Sequence, residues 1–423
     1  MSEHPKLQLR KPMPPRWLPS KTARRWLPLF VGLGFGLRWA MGRMSPFHFP
    51  DGVDYDTLAK AIEHGRPYMT GANLASRMPG YPAFMAILYM FTGDSQRAVY
   101  SAQAFLGGLT IVLVYLLGKR LSRPVGLAGA ALAAFDPLSV GFAATLLSET
   151  AFTFCLLWSL WLALRIVEER EKNRGLAWTQ WALLGILWGV AVYLRASALW
   201  AIVPLILWIA WFKRSHQPLT KSLGYGCLTL LLVLFVLSPW LTRNYRIFGS
   251  GYFRLTTLEG MSLYEAVYPD ADGGPRQTTI SIPDEMMALN EAEKNDEWSR
   301  RAWQEIRKDP ARIARLAIVK VGRTWSPTFN DKDSGTGPRQ LIMLLWHVPL
   351  YFFGVIGLCL MRSRLTSLLL IPVIYFTAVH ALFLGSVRYR VPLMPIVCLF
   401  AAYGMLQMAN LILGRKRPAP SPV

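Results

Sequence analysis

Blocks of about 20 predominantly apolar residues recur along this chain, and a helix of that length crosses the roughly 30 Å of hydrocarbon in a bilayer. In lipid the backbone must satisfy its own hydrogen bonds, so segments of this kind are helices. Hydrophobic residues make up 53% of the sequence, which exceeds the roughly 45–50% of a soluble domain. The pattern therefore predicts an all-α polytopic membrane protein, a bundle of about ten transmembrane helices.

The candidate spans are 26–43, 97–118, 125–145, 148–168, 177–195, 197–212, 222–241, 340–361, 365–386 and 391–413. Arg195 interrupts the stretch 177–212, which also fits a single re-entrant unit. With ten spans, both termini lie on the same side of the membrane.

Lysine and arginine residues indicate which side that is. In the ten-span arrangement, the basic residues of the short connections and of both termini all fall on the N-terminal side. They are Lys6, Arg10, Lys11, Arg16, Lys21, Arg24, Arg25, Lys119, Arg120, Arg123, Arg170, Lys172, Arg174, Lys213, Arg214, Arg362, Arg364, Arg415, Lys416 and Arg417. The positive-inside rule makes this side cytoplasmic. We therefore predict a multi-pass protein of the inner (cytoplasmic) membrane, with both termini cytoplasmic and the other face toward the periplasm or exterior.

The predicted organisation has five parts. They are a cytoplasmic basic N-terminus at 1–25, an N-terminal transmembrane module at 26–241, a long periplasmic loop at 242–339, C-terminal transmembrane helices at 340–414 and a cytoplasmic tail at 415–423. No cleavable signal peptide is evident, so we expect the first span to remain as a signal anchor.

The two outer loops carry helical patterns of their own. In the first outer loop, 44–96, the pattern at 55–64 and a short apolar run ending at Phe91 predict two interfacial helices. In the long loop, 285–323 is helical in pattern, and Pro310 marks the start of its last helix.

The net charge of +21 is explained by topology signals and by attraction to anionic lipid headgroups. No basic segment forms a soluble domain that could dock a duplex, so no nucleic-acid partner is predicted. The cysteines, Cys155, Cys227, Cys359 and Cys398, all fall in predicted spans, where we expect buried packing residues. No cofactor and no protein metal site are predicted, and the sequence leaves a divalent-metal requirement open.

Charged residues from distant parts of the chain fall at the outer end of the predicted bundle. They are Asp51, Asp54, Asp56, Arg77, Glu149, Arg195, Arg243, Arg246, Arg388 and Arg390. Each has a simpler explanation when taken alone, because arginines at helix ends commonly snorkel to the interface and Glu149 begins a helix. His347 and His380 stand alone within spans, where packing is the simpler interpretation.

Together these residues suit a reaction at a phosphate-linked sugar. Arginine holds phosphate bidentately and stabilises the charge that collects on it as it leaves, while a carboxylate accepts a proton from an attacking hydroxyl. We predict Asp51 as the general base and Asp54 as the reserve candidate. The expected phosphate ligands are Arg243, Arg246, Arg388 and Arg390, at least two of which should line an outer-face cavity with Asp51. Glu149 and Tyr389 are expected to shape the sugar pocket.

Five motifs carry a family resemblance. They are Asp51-x-x-x-Tyr55-x-x-Leu58-Ala59 with Gly65 and Tyr68; Ser76-Arg77-x-Pro79-Gly80-Tyr81-Pro82; Leu147-Ser148-Glu149; Pro239-Trp240-x-x-Arg243-Asn244-Tyr245; and Arg388-Tyr389-x-x-Pro392-x-x-Pro395. In order and spacing the set resembles the polytopic glycosyltransferases of the GT-C fold, of the protein O-mannosyltransferase and aminoarabinose-transferase type (glycosyltransferase family 39-like).

The resemblance implies a GT-C bundle and an inverting transfer from a polyprenyl-phosphate sugar donor to an acceptor glycan, lipid or protein outside the cytoplasm. It makes Asp51 the catalytic carboxylate, and Tyr55 and Arg77, which stand in the same motifs, are expected to bind the donor phosphate or sugar. Two departures limit the carry-over: Gly52 stands where several relatives place Glu, and Asp54 stands where the aminoarabinose transferases carry a basic residue. Aminoarabinose is therefore not implied as the sugar.

Two other functions fit the same charges. A transporter or flippase of anionic or lipid-linked substrates would use the arginines without a base, but such proteins keep their sites near the midplane at broken helices of repeated halves. A non-catalytic assembly subunit would use the arginines structurally. Retained activity in Asp51→Asn would favour either alternative.

Overall fold

The structure, a computed structural model, describes residues 20–44, 46–169, 174–249, 253–275, 280–330 and 337–414. Within these ranges the chain is helical and has no β-strand beyond isolated bridges. The α-helices are α1 (Ser20–Met44), α2 (Pro50–Glu63), α3 (Gly80–Thr92), α4 (Gln96–Gly118), α5 (Arg123–Phe135), α6 (Pro137–Phe142), α7 (Glu149–Glu168), α8 (Arg174–Leu194), α9 (Ile202–Lys213), α10 (Leu219–Phe248), α11 (Glu259–Val267), α12 (Asp284–Met287), α13 (Glu291–Lys308), α14 (Pro310–Thr324), α15 (Pro338–Leu360), α16 (Arg364–Leu382) and α17 (Met394–Ile412). 3₁₀ helices at Ala196–Ala201 and Val387–Leu393 lead into α9 and α17.

Seven helices of the described chain are long and apolar enough to cross a membrane. They are Gln96–Gly118, Glu149–Glu168, Ala196–Lys213, Leu219–Phe248, Pro338–Leu360, Arg364–Leu382 and Val387–Ile412. Each matches a predicted span, which confirms the all-α polytopic class. The other three predicted spans are also helical, in α1, α5 and α8, but fall short in length or apolar character. The count of ten is therefore not confirmed.

The predicted span 125–145 is divided in two. Asp136 caps α6 and accepts a hydrogen bond from the Ser139 backbone N–H at 2.9 Å, while Pro137 occupies its first turn. Proline has no N–H to donate to the preceding turn. It is therefore tolerated in the first turn of a new helix and disfavoured inside a continuous one. The break falls at the Asp136-Pro137 pair.

Glycines bring the C-terminal helices into close contact. A Cβ added at Gly357 of α15 would lie 1.8 Å from the Phe400 carbonyl oxygen of α17, and one added at Gly404 would lie 2.1 Å from the Phe353 oxygen. Small residues at such crossings let helix backbones approach in a membrane, where packing replaces the hydrophobic effect as the driving force. Of the cysteines, Cys155 and Cys398 are buried as expected, whereas Cys227 and Cys359 are exposed on the bundle surface.

The outer loops fold against one end of the bundle. The two interfacial helices predicted in the first loop are present as α2 and α3, and α2 begins at Pro50, earlier than the pattern indicated. In the long loop, α12, α13 and α14 occupy the segment predicted to be helical, and α14 begins at Pro310 as expected. Helix α11 was not predicted.

Helix α7 separates two charged layers. Glu149 begins it, and Glu168 ends it beside Arg120, 2.7 Å away. At 1.5 Å per residue these carboxylates are about 28 Å apart along the axis, close to a bilayer core thickness. Several of the charges that set the predicted orientation, at 1–19, 170–173 and 415–423, lie outside the described residues. The cytoplasmic side and the five-part organisation remain predictions.

Candidate active site

Local geometry fixes Asp51 at the start of α2. Pro50 occupies the first turn, and Asp51 follows it, where the helix dipole favours a negative charge. The preceding chain is held by the Phe47 N–H, which donates to the Ala144 carbonyl oxygen at 3.0 Å. Gly52 is buried, and a Cβ there would lie 3.3 Å from Leu146 Cβ. Limited space against Leu146 thus gives a steric reason for glycine at this position, where a glutamate would be crowded.

Alternating charges form one chain of ion pairs across the site, in the order Asp54, Arg77, Asp51, Arg388, Glu149 and Arg195. Arg77 donates to Asp51 Oδ1 at 2.6 Å and to Asp54 Oδ2 at 3.0 Å. Arg388 bridges two carboxylates, because its Nη1 donates to Asp51 Oδ2 and its Nε to Glu149 Oε1. Both oxygens of Asp51 therefore accept from guanidinium groups.

Separate elements supply these residues. Asp51 and Asp54 come from α2, Arg77 from the segment before α3, and Glu149 from the first turn of α7. Arg388 comes from the 3₁₀ helix before α17. Arg195, the residue before the 3₁₀ helix that leads into α9, lies 3.6 Å from Glu149 Oε1. Glu149 is fully buried, and a buried carboxylate is tolerated only when cations or hydrogen bonds compensate it.

Neighbouring charges keep the Asp51 carboxylate ionised. Burial by itself raises the pKa of Asp51, but the charges of Arg388 and Arg77 and their hydrogen bonds outweigh it and leave the pKa below its ordinary value. Burial also raises the pKa of Tyr55, so this phenol stays protonated. The Arg77 guanidinium lies over the Tyr55 ring, 5.7 Å from its centroid. At neutral pH the centre is thus an anionic Asp51 held between two cations.

The ion pairs open into a cavity of about 580 Å³. Four of the ion-paired residues line it together with their neighbours Tyr55 and Tyr389; the four are Asp51, Arg77, Arg195 and Arg388. The other lining residues are mostly apolar, such as Leu199, Trp200 and Val379, but they also include Arg254, Glu259 and His380. The cavity therefore combines charged and apolar lining, which suits an amphipathic ligand.

Three of the arginines predicted as phosphate ligands do not line this cavity, although all of them are described. Arg243 donates to the Tyr68 carbonyl oxygen at 3.1 Å and stacks on Trp240. Arg390 is buried and donates to the carbonyl oxygens of Thr324 and Ser326. Arg246 is exposed at the last turn of α10. Of the four, Arg388 alone lines the cavity, so the expectation of at least two is corrected.

The physical reason lies in the local helix geometry. In a 3₁₀ helix of three residues per turn, positions two apart differ by about 240° in direction. Arg388 therefore faces Asp51 while Arg390 faces the carbonyl groups that end α14. Sequence adjacency suggested a pair acting together, which this turn prevents.

Sequence reasoning also left cavity residues without a role. Arg195 was placed on the outer face only, His380 was interpreted as packing, and Arg254 and Glu259 were not singled out, yet all four line the cavity. The interruption of an apolar stretch by Arg195 was the available signal, because a guanidinium inside such a stretch is costly unless paired.

One group of side chains in the described residues is close enough to share a metal ion. Oxygen and ring-nitrogen atoms of Glu63, His64 and Asp94 lie within 4.8 Å of one another. This group is at the far end of α2, about 18 Å along the helix from Asp51. It contributes nothing to the cavity.

Comparison with known proteins agrees with this architecture. Residues 76–242 match the family model described as dolichyl-phosphate-mannose-protein mannosyltransferase. An undecaprenyl phosphate-α-4-amino-4-deoxy-L-arabinose arabinosyl transferase of Pseudomonas paraeruginosa is 28% identical over 202 residues, covering 45% of this chain and 35% of that protein. One from Pseudomonas fluorescens is 26% identical over 230 residues, covering 51% and 40%. The matched region thus spans well under half the length of these relatives.

Solved structures match over a larger share of the chain. ArnT from Cupriavidus metallidurans bound to undecaprenyl phosphate superimposes with a TM-score of 0.57 at 13% identity, covering 93% of this chain and 62% of that one. The oligosaccharyltransferase AglB from Archaeoglobus fulgidus, in complex with an inhibitory peptide and a dolichol-phosphate, also gives 0.57 at 13% identity, covering 93% and 52%. The chain therefore has the GT-C fold and is similar to glycosyltransferases of the family 39 type, as its motifs predict.

Proposed function

We propose that this protein is a membrane glycosyltransferase that moves a sugar from a polyprenyl-phosphate carrier to an acceptor, with inversion at the anomeric carbon. The observation that carries the proposal is the Asp51 carboxylate, held between Arg77 and Arg388 in a cavity that also has many apolar lining residues. The charged lining suits the sugar and its phosphate, and the apolar lining suits the lipid. The site faces the periplasm or exterior of an inner-membrane, multi-pass protein.

In the proposed reaction an acceptor hydroxyl attacks the anomeric carbon on the face opposite the phosphate. A new carbon–oxygen bond forms, the sugar–phosphate bond breaks, and its electron pair leaves with the phosphate. Asp51 takes the proton of the hydroxyl. If the acceptor is itself a phosphate, no proton moves and Asp51 orients the nucleophile. Asp54, which pairs with Arg77, is the reserve base.

The arginines have two effects in this scheme. Their charges hold the pKa of Asp51 low, which makes it a weak base. A phosphate that engages Arg388 or Arg77 takes part of that charge away from Asp51, so its basicity rises when the donor is present. The same guanidinium groups then stabilise the charge of the departing phosphate. Donor binding therefore increases the basicity of Asp51.

Glu149 receives a different role in the proposal from the one expected. It is fully buried, accepts from Arg388, and lies 3.6 Å from Arg195. We propose that Glu149 holds the Arg388 and Arg195 guanidinium groups in place, because its buried carboxylate contacts both of them. Tyr55 lines the cavity next to Arg77 and is proposed to contact the donor.

Two of the similar structures support the donor class, because ArnT was solved with undecaprenyl phosphate bound and AglB with a dolichol-phosphate bound. The sugar is proposed only as a hexose or pentose. Where the aminoarabinose transferases carry a basic residue, this chain has Asp54 paired with Arg77 at 3.0 Å, so the local charge is reversed. The acceptor is a glycan, a lipid or a protein. The transporter alternative lacks a supporting observation and is not advanced.

Replacement of Asp51 by Asn tests the proposal. Loss of a general base costs roughly 10²–10⁴-fold in rate, and Asn keeps the size of the side chain. Transfer is measured in proteoliposomes with undecaprenyl-phosphate-linked mannose and aminoarabinose as donors, at matched protein levels, together with mass spectrometry of the lipid that co-purifies. Asp54→Asn is the comparison variant, because it removes a second carboxylate from the same helix and the same arginine. If Asp51 is the base, Asp54→Asn should lose much less activity than Asp51→Asn. Activity of Asp51→Asn within twofold of wild type would remove Asp51 from the mechanism.

A further inference from the structure

His380 is a polar side chain with no evident structural purpose. It lies near the end of α16, is 6% exposed, and lines the cavity. Within the described part of the chain, neither ring nitrogen makes a hydrogen bond of normal length and angle, and the Leu384 backbone lies close to the ring. A neutral imidazole carries one donor and one acceptor, and buried polar atoms without partners are costly. Packing alone does not explain a histidine here, because an aromatic hydrocarbon ring would fill the same space without that cost.

The surroundings of His380 point to an anion. Its ring stacks on Tyr389 with centroids 4.0 Å apart and planes at 1°. The Arg195 guanidinium lies over the same tyrosine, 5.3 Å from its centroid. Arg195 is also incompletely paired. Among the described residues its Nη1 makes no hydrogen bond, and it lies 3.6 Å from Glu149 Oε1 as an ion pair. A buried imidazole and a guanidinium that is 12% exposed therefore flank one ring at the cavity wall, each with a nitrogen that lacks a hydrogen bond to the described residues.

We infer that His380 and Arg195 complete a phosphate-binding site beside Arg388, and that the ligand is the phosphate of a lipid. This inference rests on the proposed function and adds two residues to its donor site. The non-bridging oxygens of a phosphate diester accept hydrogen bonds from several N–H groups at once. A sugar hydroxyl would satisfy the histidine but not the guanidinium, which prefers an anionic partner. Leu199, Trp200 and Val379 on the same cavity wall give the attached hydrocarbon a place to lie.

The assignment also gives Tyr389 a definite part. Its ring is covered by the histidine and lies under the guanidinium, so the ring is a support that fixes both donors. Stacking of this kind orients side chains at little entropic cost once they are buried. Arg388, the neighbouring residue, reaches Asp51 from the same turn. The phosphate site and the base are therefore set by adjacent residues of one 3₁₀ helix.

The test measures equilibrium binding to the purified full chain in nanodiscs. The probes are undecaprenyl phosphate, dodecyl phosphate, inorganic phosphate and undecaprenol. His380→Phe keeps the stacking and removes both nitrogens. It should weaken binding of the two phosphate lipids about tenfold or more, as expected for a hydrogen bond to a charged group. Undecaprenol, which lacks the phosphate, should bind wild type and variant equally. His380→Gln, which retains a donor, should recover most of the loss.

Tyr351→Phe is the matched control. Among the described residues the Tyr351 hydroxyl also lacks a hydrogen-bond partner, but Tyr351 does not line the cavity. Loss of this hydroxyl should leave phosphate-lipid binding unchanged. Thermal unfolding of each variant reports whether the fold is intact.

Several outcomes would overturn the inference. They are unchanged phosphate-lipid affinity in His380→Phe, an equal loss for undecaprenol, or no recovery with Gln. Inorganic phosphate binding as tightly as dodecyl phosphate would overturn its assignment to a lipid. Failure of the proposed function is distinguishable, because it would appear in the transfer assay as unchanged activity of Asp51→Asn, whereas the binding measurements on His380 do not depend on transfer. If Arg388→Ala abolished binding of undecaprenyl phosphate and His380→Phe did not, the inference alone would fail.

Discussion

The two ends of α7 carry similar charges, but only the charges at one end lie beside the cavity. At one end Glu168 pairs with Arg120 at 2.7 Å, and Lys213 donates to the nearby carbonyl oxygens of Ile166 and Glu169. These contacts satisfy the end of the helix itself. At the other end Glu149 is fully buried and meets Arg388, from a distant part of the chain, beside the cavity. Charges that close a helix end stabilise structure, whereas charges that converge on a cavity from distant segments indicate a site.

The cost of the outer arrangement supports this distinction. Glu149 Oε2 has no hydrogen-bond partner in the described chain, and desolvating charges commonly costs more than their attraction returns. A network that leaves buried donors and acceptors unused is a poor stabiliser. It is what a preorganised site requires, since the free groups are ready for a ligand and need not rearrange.

After Asp51→Asn, the largest effect is expected at Arg388, which bridges Asp51 and Glu149. Arg388→Ala leaves both carboxylates short of a cation and should lower transfer by about 10²–10³-fold, with a loss of roughly 3–5 kcal/mol in unfolding free energy. Arg388→Lys keeps the charge but cannot serve both carboxylates with one planar fork, so its effect on donor saturation should be intermediate. Donor kinetics and thermal unfolding measure both. Unchanged donor kinetics in Arg388→Ala would mean that the chain of ion pairs at the cavity has a structural role only.

Arg77→Gln should change the pH profile. In the wild type the pKa of Asp51 is depressed, so the ionised carboxylate is present at neutral pH and is lost only as the pH falls through a value below the ordinary ~3.9. Removing the Arg77 charge raises this pKa, and the acidic limb of kcat/KM should move to higher pH. The limb should stay in place in Asp54→Asn if Asp51 is the base. A downward shift in Arg77→Gln would contradict the assignment.

Sequence reasoning succeeded where the signal was local or set by topology. An apolar pattern of about 20 residues needs no tertiary information, and it located all seven of the long apolar helices found. Topology alone then placed Asp51, Arg77 and Arg388 at one end, where the structure joins them. Which way a side chain faces at a helix end depends on packing, so Arg390 could not be separated from Arg388. A single histidine in a span gives no pattern, and His380 was missed for that reason.

Arg243 should show a small effect. Its guanidinium holds the Tyr68 carbonyl oxygen and lies 4.6 Å from the Trp240 ring centroid, away from the cavity lining. Tyr68 in turn donates to the Arg77 carbonyl oxygen at 3.1 Å. Arg243→Lys should therefore change donor affinity by no more than about threefold, since the contact is indirect and worth about one neutral hydrogen bond. Saturation with undecaprenyl-phosphate-linked sugar measures it, and a change as large as that of Arg388→Lys would return Arg243 to the phosphate site.

The smallest effect is expected at the closed end of α7. The Arg120 and Glu168 side chains are 28% and 21% exposed, so water already screens the pair. Such pairs contribute about 0.2–1 kcal/mol, and neither residue lines the cavity with Asp51. Arg120→Gln, Glu168→Gln and the double variant form a thermodynamic cycle whose coupling should stay below about 1 kcal/mol, with transfer within twofold of wild type. The matched cycle at the open end, Arg388→Gln with Glu149→Gln, should couple more strongly because Glu149 is fully buried and Arg388 also binds Asp51. Equal coupling at both ends, or a large loss of transfer at the closed end, would mean that distance from the cavity does not separate structural from functional charge in this protein.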